Sequence, residues 1–531
     1  MHFRFTARHP DTVSDTSRPR ARDVAPVIIL ALLLMLPAWV ASPLVRDSFW
    51  IDFVWADQFS AQLREGTLYP RWLAESHNGL GAPVFYFYPP LAFYLAAILS
   101  LMGLSTYWSV LAAFGVAMAG SGIAMLHWLK GWTSRPLAGA LLYVAAPYHI
   151  VDFYARGALA EFCAYALLPL VAIGIRRAAR SGRFAMLAIS YAALIITHLP
   201  AALLTSLFFI APYCLYLASK NRQALHPMLL GGLFGIGLAS IYLLPMVALQ
   251  PHVALETMVM RPDLQAPNWS LLTPWSWPAR EGIILMAALA ATVVFAAAIL
   301  LIARRDVWLF AVCAYAVILL GLIPGLWSLP LLAKVQFPWR MLMLAEFALV
   351  TAFARAKVGP VTAALAIAPM LALSAMMIPT APTAKPDAFD EYKAFHADVI
   401  EYLPKGAPFS DAGYSQWALD LARQHPRDAR IGKDVIAADF YFPSWQVNCE
   451  GQTVATWPDP ATKLLRWTGK NCATRIGWTA IEWWGALISA LSVVLLFGVK
   501  RRRDTAPKRT GLRLPMQVDI ASSHAPTALS Q

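Results

Sequence analysis

The 531-residue chain is 59% hydrophobic and 14% charged, with mean hydropathy +0.54 and formal net charge +13. A soluble protein of this size carries about a quarter charged residues, so the composition excludes a soluble enzyme and points to a polytopic membrane protein. The positive charge does not imply a nucleic-acid partner. It gathers before the first apolar segment (Arg4, Arg8, Arg18, Arg20, Arg22) and after the last (Lys500, Arg501, Arg502, Arg503, Lys508, Arg509, Arg513), with no phosphate-cradling glycine loop between.

The basic tail 1–24 leads into an apolar segment, 25–45, long enough to span and lacking a small-residue cleavage site, so it reads as a retained span. A first outer loop, 46–87, carries Asp47, Asp52 and Asp57. Trp55, Phe59 and Leu63 fall at i, i+4 and i+8, which suits an amphipathic helix lying on the bilayer surface. Gly66 is its expected stop.

Further apolar segments follow near 88–103, 107–129, 136–150, 158–175, 184–198, 199–219, 228–248, 282–303, 307–323, 341–354, 359–379 and 480–499, thirteen in all. Basic hinges lie at Lys130/Arg135, Arg176–Arg183, Lys220/Arg222, Arg304/Arg305 and Arg355/Lys357. Two basic tails on the cytoplasmic side require an even number of crossings. If 88–103 crosses, the hinges up to residue 222 move outside, so it reads as a dipping or surface helix and about twelve transmembrane helices remain. The alternative is that a different short segment, such as 341–354, does not cross.

The expected fold is therefore an all-α polytopic membrane protein with a small α+β extracytoplasmic domain near the C-terminus. Its parts are a cytoplasmic tail (1–24), a transmembrane domain (25–379), the outer domain (380–477), a last transmembrane helix (478–499) and a second basic tail (500–531). The outer domain has helical stretches at 389–403 and 414–424, strands at 437–442, 445–448 and 464–468, and a hairpin turn at Glu450-Gly451. Cys163, Cys214 and Cys313 sit in apolar runs as small hydrophobes. Outside the cytoplasm, Cys449 and Cys472 are expected to pair, which stabilises by about 3 kcal/mol.

Four ionisable residues, His149, Asp152, Arg156 and Glu161, crowd the mouth of two spans. Such placement is costly unless the charges are paired or functional, and an Asp152–Arg156 i,i+4 pair is the plainer reading. For His198 the plainer reading is a satisfied buried histidine. Lys334 and Arg340 lie beside Phe337 and Trp339 at the outer interface, where they either snorkel or bind a lipid phosphate, a task suited to guanidinium.

Several motifs together resemble a bacterial membrane family. They are Gly66-Thr-Leu-Tyr-Pro-Arg-Trp72, Gly79-Leu-Gly-Ala-Pro-Val-Phe-Tyr-Phe-Tyr-Pro-Pro-Leu91, Pro147-Tyr-His-Ile-Val-Asp-Phe-Tyr-Ala-Arg-Gly-Ala-Leu-Ala-Glu161 and Gln336-Phe-Pro-Trp-Arg340. The family is labelled "6-pyruvoyl-tetrahydropterin synthase-related" and sits near the YfhO-like proteins. The label does not fit the residues, because a pterin synthase needs a histidine zinc site and no His-x-His cluster occurs here.

The family's layout is similar to that of GT-C glycosyltransferases. What the resemblance implies is sugar transfer from a polyprenyl-phosphate donor to an envelope glycan, lipid or protein on the outer face of the inner membrane. Asp52 or Asp57 would be the general base, Asp152 or Glu161 the second acidic site, and Arg156 and Arg340 the donor-phosphate ligands. His149, His198 and Lys334 are further substrate-binding candidates. No resident cofactor or metal ligand set is implied, and a role for a divalent cation stays open. The chain departs from the adjacent acidic pair of many GT-C enzymes, since Asp47, Asp52 and Asp57 are spaced by five.

Trp50, Trp55, Trp72, Tyr86 and Tyr88 are candidates for sugar stacking or for anchoring at the interface. A rival reading is a lipid-linked sugar flippase or transporter, which would place ionisable residues in mid-span; Glu346 is the clearest example. A third is a non-catalytic envelope-assembly protein that binds a partner through its outer domain.

Overall fold

The computed structural model describes residues 20–41, 48–130, 133, 135–273, 280–303, 305–379, 383, 398–408 and 415–505. Its helices are α1 (Ala21–Val40), α2 (Phe49–Arg64), α3 (Leu91–Leu101), α4 (Thr106–Lys130), α5 (Pro136–Arg156), α6 (Leu159–Ser181), α7 (Ala185–Ile195) and α8 (Leu199–Lys220). They continue with α9 (Arg222–Leu238), α10 (Ser240–His252), α11 (Arg280–Ala303), α12 (Val307–Leu319), α13 (Leu342–Arg355), α14 (Pro360–Met377), α15 (Gln416–Gln424) and α16 (Ala480–Thr505).

Eight of the described helices are long and apolar enough to cross a membrane, or nine if α9 and α10, bent by 64°, count as one span. The chain is a multi-pass membrane protein. The number is below the twelve or so expected, for a reason of length. Helices α3, α7, α12 and α13 are apolar but only 11, 11, 13 and 14 residues long. At 1.5 Å per residue each reaches roughly 16–21 Å, short of a hydrocarbon core about 30 Å thick.

Helix α13 forms the centre. Every residue from 342 to 352 is buried, as expected of a helix apolar on all sides. Its one carboxylate, Glu346, accepts from the Tyr148 backbone N–H at 2.7 Å and the Tyr165 hydroxyl at 2.9 Å. The mid-span acid is thereby held in place by α5 and α6. Elsewhere small residues let helices touch: a Cβ on Gly174 of α6 would lie 2.6 Å from the Cα of Leu187 on α7.

The break between α9 and α10 is splinted by α16. Ser489 Oγ lies 3.1 and 3.0 Å from the carbonyls of Gly237 and Leu238, and it accepts from Ile241 N–H at 2.9 Å. Gly485 permits this approach, because a Cβ there would meet the Ser240 carbonyl at 2.6 Å. Backbone groups freed inside a membrane need such partners.

The α2 segment departs from expectation. It ends as foreseen, with Gly66 at φ 91°, but it does not lie on the surface. Asp52, Trp55 and Phe59 are all buried. Besides the Trp55/Phe59 stripe the helix carries Phe49, Ile51, Phe53 and Val54, so it is apolar on both faces and is covered on both. Trp55 packs on Phe85, Tyr88 and Phe93. Its indole N–H donates to Asp398 Oδ1 at 3.0 Å, on a strap (398–407) of the outer domain. The strap pairs with the end of α10, through Ala254 N–H to Leu403 O at 3.0 Å and Lys405 N–H to His252 O at 3.0 Å.

The outer domain contains two antiparallel sheets. One has the order β1-β2-β6-β5, the other β4-β3-β7. The strands are β1 (Ala429–Ile431), β2 (Asp434–Phe440), β3 (Trp445–Cys449), β4 (Gln452–Val454), β5 (Thr456–Pro458), β6 (Leu464–Thr468) and β7 (Cys472–Ile476). Glu450 and Gly451, at φ 52° and 86°, form the β3–β4 hairpin turn. Most of the helix expected over 389–403 falls outside the described residues, and Ile400–Tyr402 is a 3-10 turn.

Cys449 and Cys472 stand opposite each other in the β3–β7 register and are disulfide-bonded. Non-reducing alkylation of mature protein should therefore leave both unlabelled. Two free thiols there would contradict the pairing. The domain sits on the first outer loop: Phe440 N–H donates to Leu80 O at 2.7 Å, and Trp72 packs against Phe442 and Trp445. Beneath it Arg71 and Glu482 form a buried ion pair that ties this loop to α16.

Candidate functional site

The end of α5 winds into a π-helical turn, Asp152–Arg156, closed by Gly157 in the left-handed region at φ 60°. Such turns recur at functional sites because the wider winding re-aims side chains. Here Arg156 Nη1 faces both Asp152 Oδ1, at 3.2 Å, and Glu161 Oε2, at 2.6 Å, on the first turn of α6. Arg340, just before α13, adds its Nε to the same Glu161 oxygen at 3.0 Å. The Tyr148 hydroxyl donates to the other oxygen, Oε1. One carboxylate thus joins α5, α6 and the segment preceding α13.

Asp52 completes the cluster from α2. Its Oδ2 accepts the backbone N–H of Leu159, so it caps the start of α6 at 2.9 Å from a neighbouring helix. The carboxylate is 1% exposed and does not point into an aqueous mouth, contrary to expectation. Three carboxylates (Asp52, Asp152, Glu161) face two guanidinium groups (Arg156, Arg340), and all except Arg156 are buried. Buried charge of this kind persists only where pairing is good.

The flat faces of both guanidinium groups rest on aromatics. Phe337 and Trp339 stack in parallel with centroids 4.3 Å apart. Arg156 lies 5.2 Å from the Trp339 ring centre, and Arg340 lies 5.1 Å from that of Phe337. The in-plane N–H edges stay available for anions. Among the described residues Arg340 Nη2 donates no hydrogen bond and Asp152 Oδ2 accepts none.

Not every expected residue joins the cluster. Asp57 is half-buried and accepts from Thr106 Oγ1 at 2.6 Å, at the start of α4. His149 is fully buried behind the cluster, its ring between Phe162 and Tyr165 and its Nδ1 3.1 Å from Val144 O. That packing removes it from any surface a substrate could reach. His198 caps α8, with Nδ1 accepting from Ala201 N–H at 3.3 Å. Burial, aided by the Arg340 cation, pushes its pKa down to about 3, so the ring is neutral at physiological pH. Lys334 is exposed and outside the charge cluster.

Trp55, Trp72 and Tyr86 are 3%, 5% and 1% exposed, so they are core aromatics and not sugar platforms. Tyr148 was missed as a site residue although it stands inside a quoted motif. The Arg71–Glu482 pair was missed because 411 positions separate its partners. Among the described residues no three His, Cys, Asp or Glu side chains are grouped as metal ligands.

The chain matches no family model and no curated protein. Among solved structures it is similar to the cryo-EM structure of the arabinofuranosyltransferase AftD from mycobacteria, at 18% identity over 69% of this chain and 27% of that one, with TM-score 0.42. It is also similar to a mutant of the same protein, at 15% identity over 69% and 28%, with TM-score 0.43. The chain spans about a quarter of the length of these structures.

Proposed function

We propose that the protein is a GT-C-like glycosyltransferase that moves a sugar from a polyprenyl-phosphate donor to an envelope acceptor on the outer face of the inner membrane. The observation that carries the reading is the pairing of two arginines on Glu161, with Arg340 Nη2 and Asp152 Oδ2 left over at the same spot. A donor phosphate would take the spare guanidinium edges. The acceptor hydroxyl oxygen attacks the anomeric carbon, and the bond from that carbon to the phosphate oxygen breaks. Polyprenyl phosphate leaves with the electron pair, and the hydroxyl proton passes to a carboxylate.

Asp152 suits that last role better than Asp52, whose charge is engaged by the α6 N-terminus. Asp57 stands apart with Thr106, and Glu161 is committed to two cations and a tyrosine. His198 and Lys334 remain candidates for substrate contact from the rim.

The direct test is mass spectrometry of envelope glycans and lipids with and without the gene. A glycoform that vanishes with the gene supports transfer, and unchanged profiles reject it. The proposed orientation has its own test. Single cysteines introduced at 60–80 or at Asp420 should react with an impermeant thiol reagent from outside, whereas those at 178–182 or 502–510 should not. External labelling at 178–182 would reverse the assignment.

A further inference from the structure

The loop that delivers Arg340 has an odd composition for an aqueous surface. From 307 to 345 the sequence has no acid, and the cations of its 320–340 portion are Lys334 and Arg340. Leu322, Leu329 and Leu331 of this loop are exposed by 39–55%, and Leu272 of the facing loop by 63%. These leucines lie on connecting segments beyond the ends of the spans. Ordinary lipid contact along a helix therefore does not account for them.

The two loops are fastened together and held stiffly. Leu271 N–H donates to Leu320 O at 3.0 Å, and Ser270 Oγ donates to Gly321 O at 2.9 Å. Gln336 takes φ 66° and ψ −57°, closing a tight γ-turn with Phe337 N–H on Val335 O at 2.8 Å. That geometry is strained for a residue with a side chain and persists where surroundings impose it. The Gln336 amide is anchored to Met258 O at 2.8 Å. Immediately after it come the half-buried Phe337–Trp339 stack and Arg340.

We infer that this apolar strip, from Leu272, Leu322, Leu329 and Leu331 to the Phe337–Trp339 stack, receives the isoprenoid chain of a lipid phosphate whose headgroup sits at Arg340 and Arg156. The inference rests on the donor class proposed above and adds where its hydrocarbon lies. The match is one of chemistry: an acid-free apolar path ends at two guanidinium edges, as an amphiphile with an anionic head requires. The strained turn fixes the distance between the aromatic stack and the cations before any ligand arrives.

The test uses the full-length protein in phosphatidylcholine nanodiscs and a diazirine-tagged farnesyl phosphate. Crosslinked peptides should map to 270–273 and 320–341. Capture by farnesyl phosphate should exceed that by a geranyl analogue by at least about tenfold, from the added buried carbons. Undecaprenyl phosphate should compete and phosphatidic acid should not. Leu329→Ser/Leu331→Ser should lower capture about tenfold, while the chain-length series on the unaltered protein needs no variant.

Crosslinks elsewhere, or indifference to chain length, would overturn the strip. Equal competition by phosphatidic acid would replace the isoprenoid with a bulk membrane lipid and overturn the assignment. Capture at the strip with envelope glycans unchanged by gene loss would keep the strip and reject sugar transfer. Altered glycans with crosslinks mapped elsewhere would do the reverse.

Discussion

Asp152→Asn should lower sugar transfer by about 10²–10⁴-fold, the usual cost of losing a general base, while the protein still inserts and accumulates. Asparagine keeps the size of the side chain and can still accept from Arg156 through its amide oxygen, so the π-turn should hold. Asp52→Asn is the comparison. Its amide oxygen can still cap Leu159, so stability should fall by only about 1 kcal/mol and transfer should fall less than in Asp152→Asn. Transfer by purified protein, measured against its amount in membranes, separates the two. If Asp52→Asn alone is inactive, the first-loop aspartate is the base. If neither variant loses activity, the cluster is structural and the catalytic reading fails.

Glu161→Ala should be the most damaging single change to stability. It strands Arg156 and Arg340 without their shared carboxylate, in a setting where breaking a buried pair costs about 3–5 kcal/mol. The expected outcome is loss of folded protein from the membrane fraction at growth temperature. Arg340→Met in the same chain should restore part of that accumulation, because it removes one stranded cation and keeps much of the apolar stem. Sugar transfer should not return with it. A double variant no more abundant than Glu161→Ala would mean that the pair contributes little, and that Glu161 acts through Tyr148 instead.

The sequence made the local features legible and hid the distant ones. Apolar runs marked the helices because burial in lipid or protein needs long uncharged segments. The β3–β4 hairpin and the β6 strand at 464–468 were readable from turn chemistry and alternation. The motif 147–161 and the Arg340 stretch were both recognised as charged, and their meeting on Glu161 follows from the fold. What could not be read was which side of α2 would be covered. Three apolar positions at helical spacing describe a stripe, and the strap that covers the helix lies some 350 residues away, where Trp55 meets Asp398. The same distance concealed that Asp52 caps a helix, since its partner Leu159 offers only a backbone N–H and leaves no trace in residue type.

The hydroxyl of Ser489 at the α9–α10 break also has a bearing on biogenesis. Ser489 is among the last membrane-embedded residues to leave the ribosome, whereas the backbone groups it satisfies emerge about 250 residues earlier. Until α16 inserts, the bent hairpin carries open carbonyls in hydrocarbon, and α10, whose end pairs with the outer strap, lacks its seat. The C-terminal helix is therefore a late closing step for the whole membrane bundle. A chain cut before residue 480 would present an unfinished bend to membrane quality control, even with all of its charge cluster already synthesised.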